Sequence, residues 1–351
     1  MTVTSTLSSR PASLHAVSFV TSRSPRHPGG DRRTAFSITE LLVVIGIIVL
    51  LVALLLPALA AAQRRARTTA TSATMDQFRL ACESFHQKFG FYPGVVPEAV
   101  LAADPKISGT ENALLHLMGG YIRQEDDAAI WNLPEYSGSD WQTITFGSGQ
   151  NAYSIRVNRF RIGEGPRIGG QSYPPFFSPK GSELRALPGQ SLSNIENPDP
   201  YGDDPYRLPD LVDAWGQPII YVRSLRDSGP LVGAPNVAQF SRATTAPYLS
   251  SVALGDLGQN QSDSILNQGN ADNRDGNFAQ IIRHPGFGAA NQPQGGAPPQ
   301  GRFVILSAGK DGVFFSRFDG PGKPSAPVTN IITTGPKVVE EYDDIRRFGG
   351  S

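Results

Sequence analysis

The chain has 351 residues, enough for one sizeable domain or two small ones, and its formal charges cancel. Its single cysteine, Cys82, excludes an intrachain disulfide. Basic residues cluster only before residue 36 and at Arg64, Arg65 and Arg67, so no nucleic-acid partner is expected.

Residues 1–35 are rich in Ser, Thr, Arg and Pro and lack an apolar period, so they read as a disordered leader. Arg10, Arg23, Arg26, Arg32 and Arg33 against Asp31 give this stretch a net charge of +4 and leave −4 on the rest. Residues 41–62 are a run of 22 without one charge. As a helix rising about 1.5 Å per residue, this run crosses a hydrocarbon core of roughly 30 Å. Glu40 stands directly before it, and a carboxylate at the mouth of a membrane helix is costly enough to expect a task for it. Residues 63–89 contain no Gly or Pro, so the helix continues. Met75, Phe78, Cys82, Phe85 and Phe89 are spaced to form one apolar stripe, with Cys82 as a small core residue. Gly90 and Pro93 stop the helix. Its expected extent, 41–89, is 49 residues, roughly 73 Å. His86 is expected on its solvated face, and Arg64, Arg65 and Arg67 are expected against lipid headgroups.

Beyond residue 93 the signals are mixed. A short helix is expected at 112–118, closed by Gly119-Gly120, and strands at 141–146 and 153–162. Residues 163–210 read as loop. Apolar strands are expected at 219–222 and 303–306. Residues 225–300, rich in Asn, Gln, Gly and Pro, read as a long surface insertion. The five histidines show no zinc spacing, and no phosphate-binding Gly-Lys-Ser/Thr motif occurs. Ala271-Asp272-Asn273-Arg274-Asp275-Gly276 lacks the first acid and the closing Glu of a calcium loop.

The order Arg32-Arg33-Thr34-Ala35-Phe36-Ser37-Ile38-Thr39-Glu40, followed by the apolar run with Pro57 late in it, resembles the N-terminus of type IV pilins and the related type II secretion pseudopilins. In that family a basic leader is cut after a small residue, usually Gly. A Phe follows the cut, and a Glu stands fifth in the mature chain. Here Ala35 precedes the cut and Phe36 becomes the new N-terminus. Phe85-His86-Gln87-Lys88-Phe89-Gly90-Phe91-Tyr92-Pro93 is similar to the segment where the long helix of major pseudopilins ends. Asp213-Ala214-Trp215-Gly216-Gln217-Pro218 is similar to their Asp-x-Trp-Gly-x-Pro stretch. Ser307-Ala308-Gly309-Lys310-Asp311-Gly312 is similar to their Ser-x-Gly-x-Asp-Gly turn, and Asp343-Asp344-Ile345 to their closing Asp-Ile. These segments cover about a quarter of the chain.

The resemblance implies an α+β fold: a long N-terminal helix, its first half transmembrane, packed on a small antiparallel sheet with long loops. It implies a removed leader (1–35), an assembly helix (36–62), an amphipathic continuation (63–93) and an extracytoplasmic domain (94–351) with insertions at about 163–210 and 225–300. It implies a non-enzymatic subunit of a protein-export filament, cleaved by prepilin peptidase and N-methylated on Phe36. The partners are further copies of itself, minor pseudopilins, an inner-membrane assembly platform and the lipid bilayer. Glu40 would meet the freed ammonium of a neighbouring subunit. The resemblance also implies a calcium ion in the loop after this turn, with Asp311 matching the family motif and Asp343 or Asp344 its closing acid. Asp311, Asp319, Asp343 and Asp344 could converge there with backbone carbonyls. The alternative for these four is a set of solvated turn carboxylates. Two other readings remain for the whole chain: a type IV pilin or minor pilin in adhesion or motility, and a single-span anchor for a binding protein or enzyme. Ala60-Ala61-Ala62 also imitates the end of a secretory signal.

Overall fold

The structure, a computed structural model, describes residues 37–97, 100–101, 106–124, 128–149, 152–185, 208–223, 263–266, 277–278, 280–282, 300–319 and 342–350. The chain divides into two units, Met1–Pro57 and Ala58–Ser351. Helix α1 (Ile38–Phe89) starts in the first and continues into the second, three residues longer at its start than the apolar pattern alone predicts.

In the first unit the described residues are helical from Ile38, and every one of them is exposed. Here the helix holds Pro57. A proline costs one backbone bond, a loss tolerated in helices of membrane type. The helix is long and apolar enough to cross a membrane, and none of its most apolar window is buried.

In the second unit α1 is amphipathic. Thr71, Thr74, Met75, Phe78, Ala81, Cys82 and Phe85 are buried along one face, and Gly90, at φ +81°, ends the helix. Each large apolar side chain on that face contributes about 1.5–3 kcal/mol by leaving water. Polar groups fix the register of this face. The Thr71 hydroxyl accepts from Ala214 N, and Thr74 donates to Glu183. Arg347 pairs with Asp76 at 3.0 Å. Glu83 accepts from Gly350 N, tying the end of the chain to the helix. His86 is half-buried, stacked on Tyr92 with centroids 4.2 Å apart, so its face is not simply solvated.

Helix α2 (Gly109–Met118) extends the expected 112–118 by three residues because Ser108 and Glu111 close a capping box. One three-stranded antiparallel sheet follows: β1 (Tyr121–Arg123), β2 (Gln142–Phe146) and β3 (Tyr153–Val157), in the order β1-β3-β2. Residues 163–210 are not simply loop. Their described part holds β4 (Arg167–Ile168) paired with β5 (Gln171–Ser172), and β6 (Leu184–Arg185) paired with β7 (Asp210–Leu211). Phe177, Leu184 and Leu208 are buried there. These ribbons are two residues long, too short for an alternating pattern to register.

The second three-stranded antiparallel sheet comprises β8 (Ile220–Arg223), β9 (Phe303–Ser307) and β10 (Ile345–Gly349), in the order β10-β9-β8. Both faces are covered. Phe303 and Ile305 pack with Met75, Phe78 and Tyr221 on the α1 side. Val304 and Leu306 pack with Ile265, Leu266, Phe278, Ile281, Phe314 and Phe315 on the other. This explains why Phe303-Val304-Ile305-Leu306 is a continuous apolar run. It also corrects the expectation of a surface insertion at the described part of 225–300, where Ile265, Leu266, Phe278 and Ile281 are fully buried core, while the rest of that segment lies outside the described residues. Single apolar residues diluted among Asn, Gln and Gly carry no periodic signal. The fold is thus an α+β mix, with two small antiparallel sheets and two ribbons among the described residues where a single sheet was expected.

Candidate functional site

Ala35 and Phe36 lie outside the described residues. The start of α1 is described, and there the Ser37 hydroxyl accepts from Glu40 N at 3.2 Å while Glu40 Oε2 accepts from Ser37 N at 2.9 Å. This reciprocal pair is a capping box. It answers two of the orphan amides at the helix start and sets a carboxylate against the positive end of the helix dipole. The signal was legible as Ser-x-x-Glu directly before an apolar run. It assigns Glu40 a local task besides any contact with another subunit. Glu40 and the apolar residues after it are exposed. Pro57 lies within α1, among those exposed residues.

A second candidate site is acidic. The turn after β9 carries Asp311, Asp319 lies further along the segment that follows, and Asp343 stands just before β10. One carboxylate oxygen from each lies within 4.8 Å of the others. The backbone closes tightly here. Gly309, at φ +70°, approaches Asp343 so nearly that a Cβ would meet its carbonyl oxygen at 2.6 Å. Only glycine satisfies both the angle and the space. Asp311 Oδ1 accepts from Val313 N at 3.0 Å. Asp343 Oδ2 accepts from Lys310 N at 3.2 Å and faces Lys310 Nζ at 3.3 Å.

The electrostatics follow from crowding three acids beside one lysine. Burial, and then the nearby Asp319 and Asp343, push the Asp311 carboxyl up to about 7, against the Val313 N–H bond. Burial and Asp319 likewise raise Asp343. For Lys310, burial works downward, but Asp343, Asp319 and Asp311 outweigh it and raise the ammonium. Carboxylates held this way favour a bound cation. Calcium takes oxygen ligands at about 2.3–2.6 Å, so ligands on opposite sides of one ion stand about 5 Å apart. Hard oxygens grouped within 4.8 Å fit that requirement.

The structure brings together three of the four expected acids. Asp344 does not join the group. Both of its oxygens accept from Phe315 N, at 2.9 and 3.0 Å. Phe315 has φ +50°, a strained angle for an aromatic residue, and Asp344 holds it. Burial pushes the Asp344 carboxyl well above its ordinary value.

The Asp-x-Trp-Gly-x-Pro and Ser-x-Gly-x-Asp-Gly segments meet through two side chains. Asp213 Oδ1 accepts from Trp215 N and Gln217 N, each at 2.9 Å. Its Oδ2 accepts from the Ser307 hydroxyl at 2.7 Å. Burial raises the Asp213 carboxyl, and these bonds oppose it. Asp213 therefore shapes its own turn and anchors it to the end of β9, upstream of Asp311. The turn half-buries Trp215 against the α1 core.

His116 carried no sequence signal. It is fully buried, accepts from Gly94 N through Nδ1 at 2.9 Å, and packs edge-on against Tyr121. Burial, then Arg123 and Arg223, hold its pKa well below the usual imidazole value. It fixes the chain that turns back from α1 onto α2. No family model matches the chain, and no curated protein or solved structure is significantly similar to it.

Proposed function

We propose that this protein is a structural subunit of a type II secretion pseudopilus. Prepilin peptidase cuts between Ala35 and Phe36, and Phe36 is N-methylated. The subunit waits as a single-pass inner-membrane protein with residues 94–351 outside the cytoplasm. Assembly moves the apolar helix out of lipid into a filament of further copies, with minor pseudopilins and an inner-membrane platform as partners. The observation that carries the reading is the division of labour along α1. The same helix is exposed over its apolar half and buried along one face over its amphipathic half. A soluble protein does not leave a membrane-length apolar surface uncovered.

Inside a filament, apolar surface leaves lipid only for other apolar surface, so polar groups must select the register. Glu40 is the only carboxylate of α1 before Asp76. The ammonium of Phe36 in a neighbouring copy is its natural counter-charge. In this reading, assembly exchanges part of the Ser37–Glu40 cap for that pair. Asp311, Asp319 and Asp343 would hold a calcium ion that ties the turn after β9 to the start of β10. The protein acts as a substrate of processing enzymes and carries out no chemistry itself.

Glu40→Ala separates this reading from a plain membrane anchor. The variant is expected to insert in the membrane as the natural chain does and to form no filaments. Filament yield equal to that of the natural chain would sink the assignment. N-terminal sequencing of the membrane-extracted protein is expected to begin at Phe36, one methyl group heavier.

A further inference from the structure

The chain leaves the apolar run through Gln63-Arg64-Arg65-Ala66-Arg67, and residues 62–70 are all exposed. Arg64, Arg65 and Arg67 form no ion pair among the described residues. The next carboxylate along α1 is Asp76, and it already faces Arg79 and Arg347. At 3.6 residues per turn, the three arginine stems leave the helix over an arc of about 160°. They make a cationic collar around nearly half of it. Arg64 and Arg67, three apart on the helix, are like charges on one face, and an anion between them relieves their repulsion.

Position selects the anion. Arg64 follows Ala62, the last residue of the apolar run, by two places. From Ala62 to Arg67 the helix rises about 7.5 Å. The headgroup layer on each side of a hydrocarbon core is about 5–7 Å deep. A run that fills the core therefore places the collar among lipid phosphates. All three cations are arginine, whose planar fork matches a phosphate with two parallel hydrogen bonds, where lysine offers a point charge.

We propose that Arg64, Arg65 and Arg67 form a binding site for the phosphate-bearing headgroups of anionic phospholipids at the C-terminal end of the span. This rests on reading residues 41–62 as a membrane span. A collar on the translocated side opposes the positive-inside tendency. Arg23, Arg26, Arg32 and Arg33 of the leader supply the opposing charge on the other flank. Once the leader is removed, the collar is the main basic cluster beside the membrane, and its grip on lipid must be released for the subunit to enter a filament.

The test uses the full chain in vesicles of phosphatidylcholine, alone or with one part in three of anionic phosphatidylglycerol. Flotation on the neutral vesicles reports insertion. The ratio of the two lipids retained on gentle detergent extraction, read by mass spectrometry, reports headgroup preference. The natural chain is expected to enrich phosphatidylglycerol by roughly fivefold for each arginine. R64Q/R65Q/R67Q is expected to insert equally and to retain the lipids at their bilayer ratio. The corresponding triple lysine variant is expected to fall between the two. Insertion without enrichment, or equal enrichment by the glutamine variant, overturns the collar and leaves the span standing. Failure of either protein to float on neutral vesicles overturns the span and the collar together.

Discussion

At the scale of single residues, the acidic cluster and His116 show two opposite treatments of buried charge. Asp311, Asp319 and Asp343 crowd like charges beside Lys310, and in the proposed reading a divalent cation would relieve that crowding. With calcium at about a hundred times its dissociation constant, linkage stabilises the folded chain by about 2.7 kcal/mol. Calcium is therefore expected to raise the melting temperature of the detergent-solubilised protein, with chelator reversing the gain. Magnesium, which demands a tighter octahedron, is expected to do far less. Asp311→Asn should remove most of the calcium response; an unchanged response would place the ion elsewhere. His116 is kept neutral instead. Its folded pKa lies below the unfolded value of about 6.5, so it costs nothing above that pH. Below it, only the unfolded chain takes up the proton, and stability falls as pH drops. Between pH 7.5 and 5.5 this group therefore lowers the stability of the folded chain. Urea unfolding at pH 7.5 and 5.5 is expected to show that extra loss in the natural chain and not in His116→Gln. Equal pH dependence in both would show that His116 takes up its proton as readily in the folded chain as in the unfolded one.

At the scale of elements, the strongest test concerns the second face of the β8–β9–β10 sheet. Phe278 is 1 % exposed and packs in the cluster that covers Val304 and Leu306. Phe278→Ala should cost about 3–5 kcal/mol, measured as a fall in the urea midpoint. A loss below about 0.5 kcal/mol would return the segment to the surface. Why some elements were legible and others not follows from what each strand or helix buries. α1 was readable because Met75, Phe78, Cys82 and Phe85 repeat at helical spacing and Gly90 stops them. β9 was readable because both its faces are apolar. β10 was not, because Ile345-Arg346-Arg347-Phe348 looks half polar. In the fold Arg346 donates to Ile281 O and Arg347 pairs with Asp76, so both guanidinium groups serve tertiary structure. β1 was too short to show a period. At the acidic cluster, family likeness matched Asp311 and one of Asp343 and Asp344, and the fold separates Asp344 from the other three acids. The capping box at Ser37 and Glu40 needed only the spacing, whereas a lone His116 offered nothing to read.

At the scale of the whole molecule, the two tasks of α1 should be separable by truncation. Among the described residues, the first buried side chain of the chain is Thr71. Everything before it on α1 is exposed or, at Ala61, half-buried, so residues before 63 add little to the core of the second unit. The exposed helix residues 63–70 would fray without costing a packed contact. A chain beginning at Gln63 is therefore expected to be monomeric without detergent and to unfold in one cooperative transition. Its urea midpoint should lie within experimental error of the detergent-solubilised full chain. It should also keep the calcium response, since Asp311, Asp319 and Asp343 remain together. A chain that precipitates or melts without cooperativity would show that the apolar half of α1 supports the fold as well as the membrane contact. Cooperative folding would instead assign that half to the membrane and to other copies. Stability and assembly would then be set by different parts of one helix, with Glu40 free to change in tests of assembly without disturbing the core.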